Sequence, residues 1–184
     1  PALESGRDAT GVDIAGFNAL LARVKTRSYN LDAVRRDLLW AHAEVDAFQP
    51  RGRYPRTATV YVRTWYAPTA AEELLHFRGL IDQVGSADVL RVILARSARS
   101  ARRTAHFDLE FPREPQLEPY WCFKHRRECR PVDAARRFLL RYTLDTLDRI
   151  ETFAAVRAPG NIARTLHDAG VTMRRSVASS SVKP

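Results

Sequence analysis

The sequence contains only two cysteines, Cys122 and Cys129. This scarcity excludes the dense disulfide framework of small secreted domains. No apolar run approaches the roughly 18 residues that a membrane-spanning helix needs. Residues 1–8 contain neither the basic nor the apolar region of a signal peptide. We therefore expect a cytoplasmic protein without a membrane partner.

Lysine is also scarce, because only Lys25, Lys124 and Lys183 occur. The net charge is nevertheless +9, so arginine supplies nearly all of the positive charge. Guanidinium groups bind phosphate oxygens in a bidentate fashion, which favours a nucleic-acid partner. A genome of high GC content would give the same bias without any functional reason. Composition alone leaves DNA binding open.

Hydrophobic residues make up 45% of the 184-residue chain, enough to form a buried core. Apolar residues at helical spacing predict several helices. Their expected ranges are 18–27, 31–48 (capped by Asn30), 69–84 (capped by Thr69, with Glu72 completing a capping box), 86–103 and 132–156. Two short strands are predicted, a buried one at Ala9–Ile14 and another at Thr57–Val62. The expected fold is mainly α with one or two short strands.

A single strand between helices is unusual for a complete domain, since its backbone hydrogen bonds stay unpaired. We therefore expect a fragment of an α/β domain. The first strand ends in Asp13 and leads into a helix, as in folds that bind the ribose of a nucleoside through a carboxylate. Ile14 would then lie against the base. Alternatively, Asp13 only caps the following helix.

Two further groups of residues suggest binding chemistry. Arg96, Arg99 and Arg103 follow i, i+3, i+7 spacing, which predicts a basic helix face that approaches phosphates or is simply solvated. The second group, Cys122-x-x-His125-x-x-x-Cys129, has the spacing of metal ligands, and His106 is a candidate for the fourth ligand. We expect a packed, reduced cluster without metal, and a zinc site is the alternative.

The segment ALESGRDATGVDIAGFNALLARVKT resembles S-adenosylmethionine-dependent DNA N6-adenine and N4-cytosine methyltransferases. In that family a Gly-rich loop leads into a helix ending EA-x-x-x-G-R, and a strand GxDI and a second helix follow. The resemblance implies that Asp13 binds the ribose of the cofactor and that Ile14 flanks its adenine. The matching residues are Ala2, Gly6, Arg7, Gly11, Asp13, Ile14, Asn18, Ala22 and Lys25.

A second segment, residues 96–157, is similar to the target-recognition region between the cofactor and catalytic motifs of one group of these enzymes. Its matching residues are Arg96, His106, Asp108, Pro115, Tyr120, Cys122, His125, Cys129, Pro131, Tyr142, Asp145 and Arg149. The resemblance implies that this region binds DNA. The expected DNA-binding residues are Arg96, Arg99, Arg102, Arg103, Lys124, Arg126 and Arg127.

Two family motifs are absent from these 184 residues. The Gly-rich loop F-x-G-x-G would lie before Pro1, and the catalytic Pro-Pro-aromatic tetrapeptide has no counterpart, because the chain contains no Pro-Pro pair. Glu118-Pro119-Tyr120-Trp121 is similar to it only superficially. We therefore expect no catalytic residues here, and a fragment that is inactive on its own.

The resemblance implies a Rossmann-like methyltransferase fragment with a helical insert. Residues 1–30 would belong to the cofactor-binding α/β domain, 31–131 to the DNA-recognition insert, and 132–184 to a long helix and a disordered tail. DNA is the expected partner, with a restriction endonuclease as a second one. The alternatives are a non-enzymatic, basic helical DNA-binding protein and a small zinc-stabilised interaction domain.

Overall fold

The computed structural model describes residues 2–106, 112–157 and 163–167, and within these ranges the chain is mostly helical. The helices are α1 (Gly16–Thr26), α2 (Leu31–Ala47), α3 (Val60–Trp65), α4 (Pro68–Leu80), α5 (Ala87–Ala101) and α6 (Arg136–Val156), with a 3-10 turn at Ile81–Gln83. The strands are β1 (Ala9–Asp13), β2 (Tyr120–Cys122), β3 (Arg127–Cys129) and β4 (Ala163–His167). The mainly helical character is confirmed, but the prediction of one or two strands was too low.

The chain divides into two units. Unit 1 comprises Pro1–Tyr29 and Arg149–Pro184, and unit 2 comprises Asn30–Asp148. The sequence prediction instead assigned 132–184 to one segment, whereas the structural division falls within α6. The predicted disordered tail lies outside the described residues. No helix in the described part of the chain is long and apolar enough to cross a membrane.

Unit 1 begins with a turn that has the hydrogen bonds of a helix C-terminus. The amide of Arg7 donates to the carbonyl of Ala2 (2.9 Å), and the amide of Gly6 donates to that of Leu3 (3.4 Å). Gly6 has a φ of 72°. This pair of bonds around a left-handed glycine is the Schellman motif that ends helices.

The strand β1 follows, and it pairs in parallel with β4, from Ala9 opposite Ala163 to Asp13 opposite His167. The predicted strand is therefore present and its backbone is paired. Its predicted burial was wrong, because the middle of β1 is exposed, including Val12. The backbone pairing with β4, rather than a buried position in a core, holds this strand.

The first helix of unit 2 confirms its predicted cap. The Asn30 side chain accepts a hydrogen bond from the amide of Ala33 (3.1 Å), which satisfies one of the unpaired amides at the start of α2. The predicted apolar face is also buried. It consists of Val34, Leu38, Ala41 and Val45.

The predicted strand at Thr57–Val62 is wrong, because α3 occupies much of that stretch. The Thr59 hydroxyl accepts from the amide of Val62 (3.3 Å) and caps the helix. β-Branched residues favour strands only when neighbouring strands pack against them. Val60 is 81% exposed, so no such neighbour is present.

The predicted cap of α4 is also displaced. The helix begins at Pro68, a residue suited to the first helical position, and Thr69 lies inside it. The Glu72 carboxylate accepts instead from the amides of Arg51 and Gly52, both at 2.8 Å. It therefore holds the basic loop before α3 and completes no capping box.

The helix α5 starts after Ser86, as predicted, but its start is stabilised from another helix. The Ser86 side chain makes no capping bond, whereas the Asp37 carboxylate of α2 accepts from the Ser86 amide (2.8 Å). The helix ends at Ala101, two residues before the predicted end.

A buried carboxylate starts α6. Glu73 is 4% exposed and accepts from the amides of Ala135 (2.5 Å) and Arg136 (2.8 Å). These amides carry part of the positive end of the helix dipole, so the buried charge is compensated. Apolar side chains form the core of unit 2, in which Leu38, Phe77, Leu90, Ile93 and Leu139 are fully buried.

We predict that Glu73→Ala lowers the free energy of unfolding by roughly 3 kcal/mol, because it leaves the buried amide of Ala135 and the partly buried amide of Arg136 without an acceptor. Chemical denaturation followed by circular dichroism measures this loss. Glu72→Ala is the matched control on the same helix, and it should cost about 1 kcal/mol because its donors can reach water. Equal losses for the two variants would contradict the assigned role of Glu73.

Candidate functional sites

Asp13 lies at the carboxyl end of β1, the edge at which ligands bind in parallel α/β sheets. One carboxylate oxygen accepts from the amide of Ala15 (2.8 Å), and the other accepts from the Asn18 side chain (3.2 Å). These bonds brace the start of α1 and orient the carboxylate. Each oxygen keeps a further lone pair, so the same group can also accept from hydroxyls. The geometry is compatible with both predicted roles.

Ile14 follows Asp13 and is 69% exposed. Phe17, one residue into α1, is 47% exposed. Unit 1 therefore presents two large apolar side chains close in sequence to the carboxylate. Sequence reasoning singled out Ile14 but missed Phe17, whose only signal was its position just after the strand.

Arg96 is engaged within unit 2. Its guanidinium pairs with Asp145 (2.7 Å) and donates to the Thr146 hydroxyl (3.1 Å). It also lies over the Tyr142 ring, 4.3 Å from the ring centroid. These contacts tie α5 to α6 and use much of the donor capacity of the side chain.

The expected common face of Arg96, Arg99 and Arg103 does not form, because α5 ends before Arg103. Arg99 is exposed on the helix. Arg102 has extended backbone angles. The backbone amide of Arg103 donates to the carbonyl of Trp65, and its carbonyl accepts from the amide of Gln116, both at 2.8 Å. The four arginines therefore do not form a single stripe on one face of a helix.

The other predicted DNA-binding residues lie on the β2–β3 hairpin. Its strands pair antiparallel, with Tyr120 opposite Cys129 and Cys122 opposite Arg127. The turn includes Arg126, which has a φ of 51°, a left-handed conformation that is uncommon for a residue other than glycine. Exposed cations surround the turn, namely Lys124, Arg126, Arg127 and Arg130.

Two aromatic side chains are exposed on the same hairpin. Trp121 is 56% exposed and Phe123 is 74% exposed. A basic turn flanked by exposed rings can contact both phosphates and bases. The sequence analysis identified the cations but predicted no binding role for Trp121 or Phe123.

The hairpin also contains most of a Cys–His cluster. The ligand atoms of His106, Cys122, His125 and Cys129 all lie within 4.8 Å of one another. The Cys122 sulfur is 3.7 Å from Nδ1 of His106 and 3.6 Å from Nδ1 of His125. Nδ1 of His125 is 3.4 Å from the Cys129 sulfur. The structure thus brings together the three residues of the predicted spacing and the suggested fourth.

His106 reaches the cluster from the segment that follows α5. Its backbone amide donates to the Tyr120 hydroxyl (2.9 Å), so a residue of β2 fixes its position. Sequence reasoning did not assign this role to Tyr120. A hydrogen bond from a backbone amide to a side chain leaves no pattern in the sequence.

The surroundings of the cluster change its proton affinity. Burial lowers the pKa of His106, and the positive charges of His125, Arg137, Lys124 and Arg127 lower it further. Burial raises the pKa of the Cys129 thiol, as does its neighbour Cys122. Without a cation, a neutral His106 and a protonated Cys129 are therefore favoured.

The aromatics beside the loop 51–56 are largely structural. The Tyr54 hydroxyl donates to the carbonyl of Tyr66 (2.8 Å) and is also 3.0 Å from that of Arg63. Tyr66 is buried, and this burial is the main cause that raises its pKa to about 12. Tyr61 remains 53% exposed.

No family model matches the chain, and no solved structure matches it. The type II methyltransferase M.MjaII of Methanocaldococcus jannaschii is 41% identical over 100 residues. The match covers 53% of this chain and 19% of that relative, so the chain spans about a fifth of the relative's length. This finding confirms the resemblance seen in the sequence: over about half of its length, the chain is related to the DNA methyltransferase family.

Proposed function

We propose that the chain is part of a site-specific DNA methyltransferase that transfers a methyl group from S-adenosylmethionine to an exocyclic amino group of adenine or cytosine. The observation that carries this proposal is the 41% identity to a type II methyltransferase. The parallel pairing of β1 and β4, with Asp13 at their carboxyl end, agrees with a part of a Rossmann-like domain. A restriction endonuclease that recognises the same DNA site would be the partner of this methyltransferase.

Unit 1 would contribute to the cofactor site. The Asp13 carboxylate, already oriented by Ala15 and Asn18, would accept hydrogen bonds from the ribose hydroxyls. The exposed side chain of Ile14 would lie against the adenine ring. When bound, S-adenosylmethionine supplies an electrophilic methyl group.

Unit 2 would contribute to DNA binding, mainly through its hairpin. Lys124, Arg126 and Arg127 are exposed around one turn, and charge at a turn can approach a phosphate backbone closely. Arg99 would add a contact from α5. We assign Arg96 a positioning role instead, because Asp145 and Thr146 already hold its guanidinium.

The chain alone would not catalyse methyl transfer. In the related enzymes an Asp/Asn/Ser-Pro-Pro-aromatic tetrapeptide binds the amino group of the flipped base. These 184 residues contain no Pro-Pro pair. The catalytic motif and the Gly-rich loop would have to come from other polypeptide sequence.

We predict that the purified chain transfers no labelled methyl group from S-adenosylmethionine to duplex DNA. We also expect the adjoining coding DNA to encode, in frame, a Phe-x-Gly-x-Gly loop upstream and a Pro-Pro-aromatic motif downstream. Methyl transfer by the chain alone would contradict the fragment proposal. Stop codons on both sides without either motif would favour a non-enzymatic DNA-binding protein.

We predict that Asp13→Asn, made in the protein that the extended reading frame encodes, raises the Kd for S-adenosylmethionine roughly tenfold, which corresponds to about 1.4 kcal/mol. The amide removes the charge and half of the accepting capacity while it keeps the size of the side chain. Isothermal titration calorimetry measures the change. Asp32→Asn, at the exposed start of α2, is the control, and an unchanged Kd for Asp13→Asn would refute its role.

We predict that replacing Lys124, Arg126 and Arg127 together by glutamine weakens duplex DNA binding by the chain roughly tenfold or more at low salt, because each lost phosphate contact reduces the salt slope by about 0.9. Fluorescence anisotropy across a salt series gives both quantities. The control replaces Arg35, Arg36 and Arg78, which are exposed on α2 and α4, and so removes the same charge. Equal losses in the two triple variants would indicate that only net charge matters.

A further inference from the structure

The four side chains of the Cys–His cluster have the geometry of a metal site. With Zn–S bonds of about 2.3 Å and Zn–N bonds of about 2.0–2.1 Å, a sulfur and a nitrogen on one tetrahedral zinc ion lie about 3.6 Å apart. Three of the four sulfur–nitrogen pairs in the cluster are 3.7, 3.6 and 3.4 Å apart. These three distances match the sulfur–nitrogen edges of a zinc tetrahedron.

We propose that His106, Cys122, His125 and Cys129 bind one structural zinc ion. Two thiolates and two imidazoles form a closed set of soft and borderline ligands, which select zinc over magnesium or calcium. The set holds no position open for water, so a structural role is favoured over a catalytic one. Two thiolates also neutralise the charge of the ion.

The backbone of the hairpin arranges three of the ligands. Cys122 lies opposite Arg127 and Cys129 lies two residues further along β3, so both sulfurs are on one face of the hairpin. The amide of His125 donates to the carbonyl of Cys122 (3.1 Å), which turns the chain so that the third ligand returns to this face. Arg126 then adopts its left-handed conformation and leads the chain into β3.

The fourth ligand, His106, gives the metal a specific task. It belongs to the segment after α5, and it contacts the hairpin through the hydrogen bond to Tyr120 and through edge-to-face contacts with the rings of Tyr120 and His125. A metal ion bound to His106 and to the two cysteines would crosslink the two segments. The hairpin would then be fixed to the end of α5.

The hairpin is short and largely exposed. Each strand has three residues, and in β2 and β3 only the two cysteines are buried. An isolated two-stranded hairpin is marginally stable at best in water. Because Trp121 and Phe123 are exposed, they add little buried apolar surface to stabilise the folded hairpin. The free energy of metal binding would stabilise the folded hairpin directly.

The first test is the metal content of the protein, purified in reduced form without a metal-affinity column. We expect about one zinc ion per chain by inductively coupled plasma mass spectrometry. Cobalt(II) in place of zinc should give the visible absorption bands of a tetrahedral site and a sulfur-to-metal charge-transfer band. Stoichiometric iron in place of zinc, or no metal after refolding with added zinc, would overturn the proposal.

Variants assign the ligands. His125 is exposed, so His125→Ala should fold, which circular dichroism checks, while it loses most of the bound zinc. His42→Ala, on α2, is the matched control and should keep it. Cys122→Ser and Cys129→Ser should each weaken the charge-transfer band, and the two substitutions together should abolish it. Full zinc content and an unchanged cobalt spectrum in His125→Ala and both serine variants would disprove the assignment.

A third measurement asks whether the metal holds the hairpin. Removal of zinc with a chelator should lower the Tm of the wild-type protein, and added zinc, but not magnesium, should restore it. His125→Ala should start at the lower Tm and respond to neither ion. An identical Tm with and without zinc would refute the structural role. None of these readouts involves DNA or methyl transfer, so their result is independent of the proposed function.

Discussion

The organisation of unit 2 depends on the buried carboxylate of Glu73. Placing a charge in a protein interior is costly unless it is fully hydrogen-bonded. Here the first amides of α6 compensate it, and in return they gain the acceptor that a helix start lacks. The position of α6 then follows, and with it the position of Asp145, which holds Arg96 of α5. One carboxylate of α4 thus holds the start of α6, and α6 is in turn joined to α5 through Asp145 and Arg96.

The sequence predicted the parts of the fold that local interactions determine. Asn30 capped α2 as its side chain and spacing indicated. Prediction failed where a distant residue intervened. Glu72 appeared to complete a capping box, but the loop at Arg51 and Gly52 recruits its carboxylate. The β-branched run at Thr57–Val62 suggested a strand, yet without a partner strand the Thr59 cap prevails and a helix forms. The pairing of β1 with β4 joins residues at distant points of the chain, which periodicity cannot reveal.

The candidate sites likewise combine features that local sequence determines with features that depend on distant residues. Asp13 was predictable because a strand, an acid and a helix are consecutive in the sequence. The spacing of Cys122, His125 and Cys129 was equally visible, whereas His106 could only be suggested, since the Tyr120 hydroxyl that positions it carries no sequence signature. The stripe of Arg96, Arg99 and Arg103 failed for a simple reason: it required a helix that continues to Arg103, and α5 ends at Ala101.

The division of the chain has a consequence for how such a protein can evolve. Unit 2 is one uninterrupted stretch, Asn30–Asp148, whereas unit 1 combines two separate stretches, so two crossovers would suffice to exchange unit 2 between related chains. The first crossover falls in the segment between α1 and α2. The second falls inside α6, where each inserted or deleted residue rotates the rest of that helix by about 100° around its axis. An exchange at this junction therefore keeps the residues of α6 on their original faces only if it preserves the helical phase.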